Sequence, residues 1–250
     1  MRPANPLSVV TGATGGIGGA ICRGLAAAGF NVVVGYRKSA RDAEVLASSL
    51  PGDGHCAASA PVTDSTALRA LAALVEERYA RCDVLVNCAG VTRFVPHADL
   101  DGLDDALIDD ILATNVRGSF AALRALLPLL KASTQPGGAV VVNISSIAAR
   151  TAMGSNIMYC ASKAALDNMT QSLARALAPA VRVISVSPGL VDTEFVKSLD
   201  PKWRDEQAAR TPLGRLAMPE EVAAMVIAAV RDLTFTTGCI LAVDGGRPLN

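Results

Sequence analysis

The stretch LSVVTGATGGIG, residues 7–18, decides the fold class. It begins with a short run of mostly apolar residues, typical of a strand that is buried on both faces of a sheet. Gly12, Gly16 and Gly18 then allow a tight turn and close approach to a ligand, before a helix that we expect to end near Gly29. The free N–H groups at the start of that helix would suit a pyrophosphate, although a plain strand-to-helix turn is the alternative.

Similar apolar runs recur along the chain. NVVVGY, DVLVN, AVVVNI and VRVISVSP alternate with Ala- and Leu-rich segments of helical character. This alternation predicts an α/β fold, a three-layer, doubly wound parallel sheet covered by helices on both faces. No linker or repeat divides the chain, so we expect one domain over residues 1–250. Irregular segments are expected at PGDG (51–54), at QPGG (135–138) and over residues 196–210, the last a candidate substrate lid.

Composition narrows the function classes. Lys plus Arg equals Asp plus Glu at 23 each, so no net charge favours nucleic acid or an anionic membrane. The six cysteines form no CxxC pair and lack neighbouring histidines, so we expect buried, reduced thiols and no metal site. The N-terminal segment lacks a signal-peptide core, and no apolar run is long enough to span a membrane. We therefore expect a cytoplasmic protein.

The segment YCASK holds a phenol and an amine one helical turn apart. Tyr159 and Lys163 are four residues apart and would share a helix face. Both side chains are amphipathic and often cover helix surfaces without chemical purpose. The rest of the chain favours a functional interpretation.

Six ordered motifs carry a family resemblance. They are G-x-x-x-G-x-G at 12–18, NCAG at 87–90, Asn115, NISS at 143–146, YCASK, and PG at 188–189. Together they resemble the short-chain dehydrogenase/reductase family over residues 7–246, and the C-terminal part is most similar to bacterial 3-oxoacyl-(acyl-carrier-protein) reductases. The resemblance implies a Rossmann fold that binds NAD(P) and an oxidoreductase acting on CH–OH groups.

The resemblance also implies catalytic roles. Tyr159 would be the general acid/base, and Lys163 would favour its phenolate form and bond the nicotinamide ribose. Ser146, thirteen positions before the tyrosine, would donate to the substrate oxygen, whereas Ser145 would face away. Asn115 matches the asparagine that holds a water between the lysine and solvent.

The cofactor is expected to be NADP(H) rather than NAD(H). Tyr36 stands where NAD-preferring relatives carry an acidic residue, and Arg37 and Lys38 follow it. A guanidinium fork and an ammonium suit a 2′-phosphate, although two solvated cations are the alternative. The chain has Pro61 where relatives place an aspartate near the adenine, so Val62 would contact the adenine through its backbone.

The resemblance implies further contacts to the dinucleotide. Thr193 would bond the nicotinamide carboxamide, or cap the next helix, or both. The full set of expected cofactor contacts is Gly12, Thr14, Gly16, Ile17, Gly18, Tyr36, Arg37, Lys38, Val62, Asn87, Ala89, Gly90, Tyr159, Lys163, Pro188, Gly189 and Thr193.

The sequence defines the substrate only coarsely. By family analogy, Phe94, Val95, Met153, Ile157 and the 196–210 segment line a largely apolar pocket. We expect a small-molecule ketone and its secondary alcohol, interconverted by hydride transfer. A carrier-protein reductase of fatty-acid synthesis is the more specific alternative. A dinucleotide sensor without turnover and a sugar-nucleotide epimerase are less favoured.

Partner expectations concern an acyl-carrier protein and copies of this chain. Carrier docking would need cations beside the cleft, and the corresponding segments offer only Lys131, Arg175 and Arg182, which disfavours the carrier protein. We expect a homotetramer built partly from helices over residues 115–131 and 159–178. The second helix carries an apolar stripe that could equally be core: Leu166, Met169, Leu173 and Leu177.

Overall fold

A parallel sheet of seven strands forms the centre of the computed structural model, which describes residues 5–249. The strands are β1 Leu7–Thr11, β2 Asn31–Tyr36, β3 Cys56–Ser59, β4 Val84–Asn87, β5 Ala139–Ile144, β6 Val181–Pro188 and β7 Ile240–Val243. Their spatial order is β3-β2-β1-β4-β5-β6-β7. The order reverses between β1 and β4, and doubly wound sheets bind ligands at the carboxyl ends beside such a switch point.

Helices cover both faces of this sheet. They are α1 Gly16–Ala27, α2 Ala40–Ser49, α3 Ser65–Tyr79, α4 Asp105–Leu112, α5 Ser119–Lys131, α6 Ala148–Thr151, α7 Ile157–Leu177, α8 Glu194–Lys197, α9 Pro201–Ala209 and α10 Pro219–Arg231. A π-helical turn, Ala113–Gly118, joins α4 to α5, and a short 3₁₀ turn covers Arg247–Leu249. The predicted doubly wound α/β fold is confirmed.

The two cores explain why the strands read as continuous apolar runs. On one face Val10 packs into a cluster that contains residues of α1 and α10, such as Leu25 and Val226. On the other face Val9 packs into a cluster with α3 and α5, including Leu126. Because successive strand residues point to opposite faces, both positions must be apolar when both faces are covered.

The apolar stripe of α7 belongs to the core. Leu166 is buried, and Leu173 and Leu177 pack against the cluster shared with α3 and α5. The opposite side of the helix exposes small residues, namely Ala161, Ala164, Ala165 and Asn168. Any subunit contact through α7 would therefore use the small-residue side and not the predicted stripe.

The loops at 51–54 and 135–138 are confirmed, and their glycines adopt positive φ. The expectation of an irregular 196–210 segment is wrong in part, since α8 and α9 occupy most of it. Asp200 caps α9 by accepting from the amides of Lys202 and Trp203, and Pro201 stands in the first turn, where its missing N–H costs nothing.

All six cysteines are free thiols. Cys22, Cys82 and Cys160 are buried as expected, whereas the expectation of burial is wrong for three others, which are partly exposed: Cys56, Cys88 and Cys239. Over residues 5–249, the helices are too short or too polar to cross a bilayer.

Candidate active site

The glycine loop after β1 is held against the segment after β4. Thr11 Oγ1 accepts hydrogen bonds from the amides of Cys88 and Ala89, each at 3.2 Å. Gly12 has φ +63°, and a Cβ there would lie 2.7 Å from Ala89 Cα. A Cβ on Gly18 would clash with the Gly12 carbonyl oxygen. Only glycine lets these backbone segments approach so closely, and the first amides of α1 lack partners within the helix. This cradle fits a dinucleotide pyrophosphate.

The rim of the cradle is formed by residues from two loops. Thr14 and Gly16 are exposed, and Ile17 is half-buried. A Cβ on Gly16 would lie 3.0 Å from the Thr193 methyl group, so Thr193 stands directly opposite the glycine loop. Thr193 also caps α8, since its Oγ1 accepts from the Val196 amide at 3.4 Å. The capping alternative for Thr193 is therefore confirmed, and its bond to a carboxamide stays a prediction.

The Asn87 side chain points into the protein. Its Nδ2 donates to Asn143 Oδ1 at 2.9 Å and to the Ser119 carbonyl at 3.2 Å. The amide thus ties β4 to β5 and to the start of α5. Ala89 and Gly90 continue from this strand along the cleft, and Gly90 is exposed. From this segment, a ligand would meet backbone rather than the Asn87 amide.

The end of β2 presents the residues expected to select the cofactor. Tyr36 is half-buried, and its carbonyl accepts from the Ala60 amide at 2.7 Å. Arg37 and Lys38 are exposed just before α2, and no hydrogen bond or ion pair within residues 5–249 engages either side chain. Val62 is buried. Two free cations therefore stand at the rim of the cleft.

Ser146, Tyr159 and Lys163 come together where β5 meets α7. The Ser146 side chain interacts with the Tyr159 hydroxyl, and Ser146 Oγ accepts from the Ala148 amide at 3.2 Å. The Ser145 side chain is turned into the core, as expected: Ser145 is buried, and its Oγ donates to the Lys163 backbone carbonyl at 3.4 Å. The carboxyl end of β5 thus presents one serine to the cleft and keeps the other in the core.

Burial and local contacts determine the acid–base properties of Tyr159. Burial raises its pKa, and the nearby Ser146 hydroxyl partly opposes this rise. Lys163 Nζ lies 5.7 Å from the centre of the Tyr159 ring and donates to the Ile144 carbonyl at 2.8 Å. In this structure Ser146, rather than Lys163, is the side chain that lowers the tyrosine pKa. Tuning of the phenol by Lys163 stays a prediction.

Lys163 is itself buried, and burial lowers the pKa of its amine to about 8. The nearby Cys88 thiol and Asp167 carboxylate act in the opposite direction. A lysine in this range exchanges its proton near neutral pH far more readily than a solvated one.

Asn115 occupies the π-helical turn between α4 and α5. Its Oδ1 accepts from the Val91 amide at 2.8 Å, and its Nδ2 donates to the Val91 carbonyl at 3.1 Å and to Ser162 Oγ at 3.0 Å. Ser162 Oγ in turn donates to the Tyr159 carbonyl at 2.8 Å. This fixes Asn115 beside the tyrosine helix, and π-turns of this kind occur frequently at functional sites.

Two residues of this site were missed from the sequence. Ser162 links Asn115 to α7, and Asn156 caps that helix by accepting from the Tyr159 amide at 2.7 Å while donating to the Arg93 carbonyl at 2.8 Å. The signal for Ser162 was its place inside YCASK. Asn156, three residues before the tyrosine, has the spacing of a capping residue.

The expected substrate residues surround the cleft unevenly. Phe94, Met153 and Ile157 are exposed, and Val95 is buried, with its amide bonded to the Ser155 carbonyl. Arg204 of α9 donates to Asp192 at 2.7 Å and so ties the candidate lid to the loop after β6. Pro188 is the last residue of β6, and Gly189 is the first residue of that loop. Gly189 donates to the Val243 carbonyl on β7.

Comparisons with known proteins agree with this geometry. The sequence profile described as enoyl-(acyl carrier protein) reductase matches residues 12–247. The chain is 40% identical to the protein named as ketoacyl reductase 2 of the granaticin polyketide synthase from Streptomyces violaceoruber, over 99% of this chain and 98% of that protein. It is 33% identical to the 3-oxoacyl-(acyl-carrier-protein) reductase FabG of Thermotoga maritima, over 98% and 99% respectively.

Solved structures show the same likeness. A protein from Brucella melitensis, solved under the name short-chain dehydrogenase/reductase and glucose/ribitol dehydrogenase, superposes with a TM-score of 0.89 at 31% identity over 99% of both chains. With the doubly wound sheet, the glycine cradle and the serine–tyrosine–lysine cluster, these matches show that the chain belongs to the short-chain dehydrogenase/reductase family of oxidoreductases that act on CH–OH groups.

Proposed function

We propose that this protein interconverts a ketone and a secondary alcohol with NADP(H), and that Tyr159 is the general acid/base. The observation that carries the proposal is the cluster of Ser146, Tyr159 and Lys163 beside Asn115, at the sheet edge where the glycine cradle also opens. When bound, the nicotinamide supplies or accepts the hydride. The protein's own residues handle the substrate oxygen and its proton.

Tyr159 is suited to donate a proton in ketone reduction. Because burial raises its pKa, the phenol stays protonated at neutral pH. Ser146 Oγ accepts from the Ala148 amide, so its own proton can be donated toward the Tyr159 oxygen in the free protein and toward a substrate oxygen once one is bound. Two O–H donors would then converge on the carbonyl where negative charge develops.

Lys163 and Asn115 would return a proton to Tyr159 after the phenol has donated its own to the substrate. The Lys163 ammonium has three donors and gives one to the Ile144 carbonyl, so others remain for a ribose hydroxyl or a water. The Asn115 carbonyl accepts from Ser119 Oγ at 3.0 Å and retains a second lone pair. A water held there would connect the lysine to solvent, in the role expected from the family.

The test of this chemistry is NADPH consumption against a panel of aliphatic and cyclic ketones, β-ketoesters and acetoacetyl thioesters. Turnover of at least one class is expected. If NADPH binds and no ketone is reduced, the proposal is wrong, and a dinucleotide sensor without turnover becomes the better description.

The preference for NADP(H) is proposed from Arg37 and Lys38. Both are exposed and unpaired within residues 5–249, which suits a phosphate that arrives with the ligand. A hydrogen bond to a charged group contributes about 1.5–3 kcal/mol, so Arg37→Ala should weaken NADPH binding by roughly 10- to 150-fold. NADH binding should change less than about threefold.

Fluorescence titration of NADPH and NADH measures this selectivity. Lys131→Ala is the matched control, since Lys131 is an exposed cation at the end of α5, before β5 begins at the opposite edge of the sheet. It should leave both affinities unchanged. Equal losses for NADPH and NADH in Arg37→Ala would remove Arg37 from the phosphate site.

A second candidate is reduction of carrier-linked β-ketoacyl groups, because the relatives include proteins named as ketoacyl and 3-oxoacyl carrier-protein reductases. The small number of exposed cations at the expected docking positions argues against this function. Arg182 is buried and bonded to carbonyl oxygens, which leaves Lys131 and Arg175 exposed. We expect acetoacetyl groups on coenzyme A to be reduced about as efficiently as on a carrier protein.

The deciding measurement is kcat/KM for the two thioesters at low and high salt. Electrostatic docking would show as a carrier preference that falls steeply with ionic strength. A large preference of that kind would make the carrier-protein reductase the correct function.

A further inference from the structure

Asp167 is a buried carboxylate that the expected mechanism does not use. It follows Lys163 by one helical turn on α7, and Lys163 follows Tyr159 by one turn, so the three share a helix face. Asp167 is only 5% exposed. A charged side chain at such depth requires partners, because burial of an unpaired charge is costly.

Asp167 has one hydrogen-bond donor, Ser185 on β6, whose Oγ lies 2.6 Å from Asp167 Oδ1. Within residues 5–249, Oδ2 is buried and accepts no hydrogen bond. The charge on this oxygen is therefore not taken up by a protein donor among these residues and can act on a neighbouring cation. The neighbouring positive charge on the same helix face is the buried ammonium of Lys163.

The other groups around Lys163 do not supply a counter-charge. Ile144 offers the amine a neutral carbonyl, the neutral Asn115 amide and the amine both approach Gly90, and the Ser145 hydroxyl donates to the Lys163 backbone carbonyl. Cys88 adjoins the amine, but burial raises the pKa of its thiol to about 11, so the thiol is uncharged where Lys163 titrates near 8. The phenol of Tyr159, with its raised pKa, is likewise neutral there.

We propose that Asp167 is a positioning residue of the active site, whose carboxylate holds positive charge on Lys163 and so keeps the lysine competent as the pH rises. It touches neither substrate nor cofactor and acts through Lys163. The inference rests on the proposed function for its consequence in catalysis, but the charge on Lys163 can be measured without turnover.

The experiment is a pH titration of Lys163 by NMR in protein labelled at lysine Cε, with the resonance assigned from its loss in Lys163→Met. No cofactor or substrate is added. In Asp167→Asn the titration midpoint should fall by about one unit, because residues one helical turn apart lie roughly 5–6 Å apart at Cβ and an opposite charge at that range shifts a pKa by about one unit or more. At pH 8 the charged fraction should fall from about one half to about one tenth or less.

Two variants distinguish charge from structural damage. Asp167→Glu keeps the charge and should keep the midpoint within about half a unit. Thr170→Val removes another buried hydrogen bond of α7, that between Asn143 Nδ2 and Thr170 Oγ1, and should leave the midpoint unchanged. If Asp167→Asn does not accumulate as folded protein, Asp167→Ser is titrated instead with the same expected shift.

In turnover, the alkaline limb of kcat/KM for ketone reduction should move down with the Lys163 midpoint in Asp167→Asn, and activity should recover as the pH is lowered toward 6. A purely structural lesion would not recover in this way. A Lys163 midpoint that does not move in Asp167→Asn, or that moves equally in Thr170→Val, overturns the proposal. A protein that reduces no ketone would refute the proposed function while leaving the titration result valid.

Discussion

Replacing Arg182 with methionine should destabilise the protein without acting on the chemistry. Arg182 is the second residue of β6 and is 7% exposed. Its guanidinium donates to five carbonyl oxygens, those of Gly137, Ala229, Val230, Leu233 and Thr236, at 2.9–3.3 Å. The carbonyls of Ala229 and Val230 belong to the last turn of α10, where a helix leaves its acceptors without internal partners.

The size of the loss in unfolding free energy depends on how many of the five carbonyl oxygens would be left without a hydrogen-bond donor. Methionine fills similar space but donates nothing. Some of the five acceptors would gain water, since neighbouring Thr234 and Phe235 are exposed. If about two stay unsatisfied at roughly 1–3 kcal/mol each, the free energy of unfolding falls by about 2–6 kcal/mol. For a chain of this size, at about 2–4 °C per kcal/mol, that corresponds to a Tm lower by roughly 4–24 °C.

The assay is urea unfolding followed by circular dichroism at one fixed protein concentration, with the slope compared as well as the midpoint. Arg175→Met is the matched control, because Arg175 is an exposed cation on α7. It should change stability by less than about 0.5 kcal/mol. A loss below about 1 kcal/mol in Arg182→Met would show that the carbonyls are readily solvated and that Arg182 remains free enough to meet a partner.

Three further outcomes are expected. Tyr159→Phe should lower kcat by more than about 100-fold while NADPH affinity stays within a few-fold, since the phenol acts on the substrate proton; a variant that keeps a tenth of wild-type kcat would exclude Tyr159 from the mechanism. Arg204→Gln should raise KM for the ketone several-fold with little change in Tm, because it breaks the 2.7 Å contact with Asp192 that ties α9 to the loop after β6; an unchanged KM would mean that α9 is not part of the substrate site. Light scattering at micromolar concentration should give a tetramer, with contacts through the small residues of α7 such as Ala161 and Ala164; a mass near 25.7 kDa would contradict it.

Local sequence was sufficient for most of the fold. β1, β2, β5 and β6 have the bounds of the apolar runs that predict them, because strands buried on both faces admit few polar residues. β3, with sequence CAAS, and β7 are short and less buried, so their apolar signal is weak. The glycine loop could also be predicted from the sequence, since the positive φ at Gly12 strongly favours glycine.

The candidate site likewise contains features that the sequence predicts and features that only the structure explains. The one-turn spacing of Tyr159 and Lys163 is a property of any helix, so the sequence by itself determined that they share a face. Which serine faces the cleft came from the family pattern, and the structure supplies the physical reason: the neighbouring Ser145 is buried, and its hydroxyl is bonded to the backbone of α7.

Only the tertiary structure decided which charges are available. The sequence suggests that Arg182 is a surface cation, whereas in the fold it is buried and donates to carbonyl oxygens, most of them at and after the end of α10. Nothing in the sequence indicated this, because its partners lie 45–54 residues away in the chain. In the sequence, Asp167 is one more polar residue of a helix. In the fold, β6 packs against it and Ser185 donates a hydrogen bond to its carboxylate. Burial and hydrogen-bond partners set the energy of a charge, and both depend on segments that are distant in sequence. The sequence therefore determined the strands, the glycine turn and the residues that share a helix face, while the tertiary structure decided which ionisable groups are solvated and which depend on a partner.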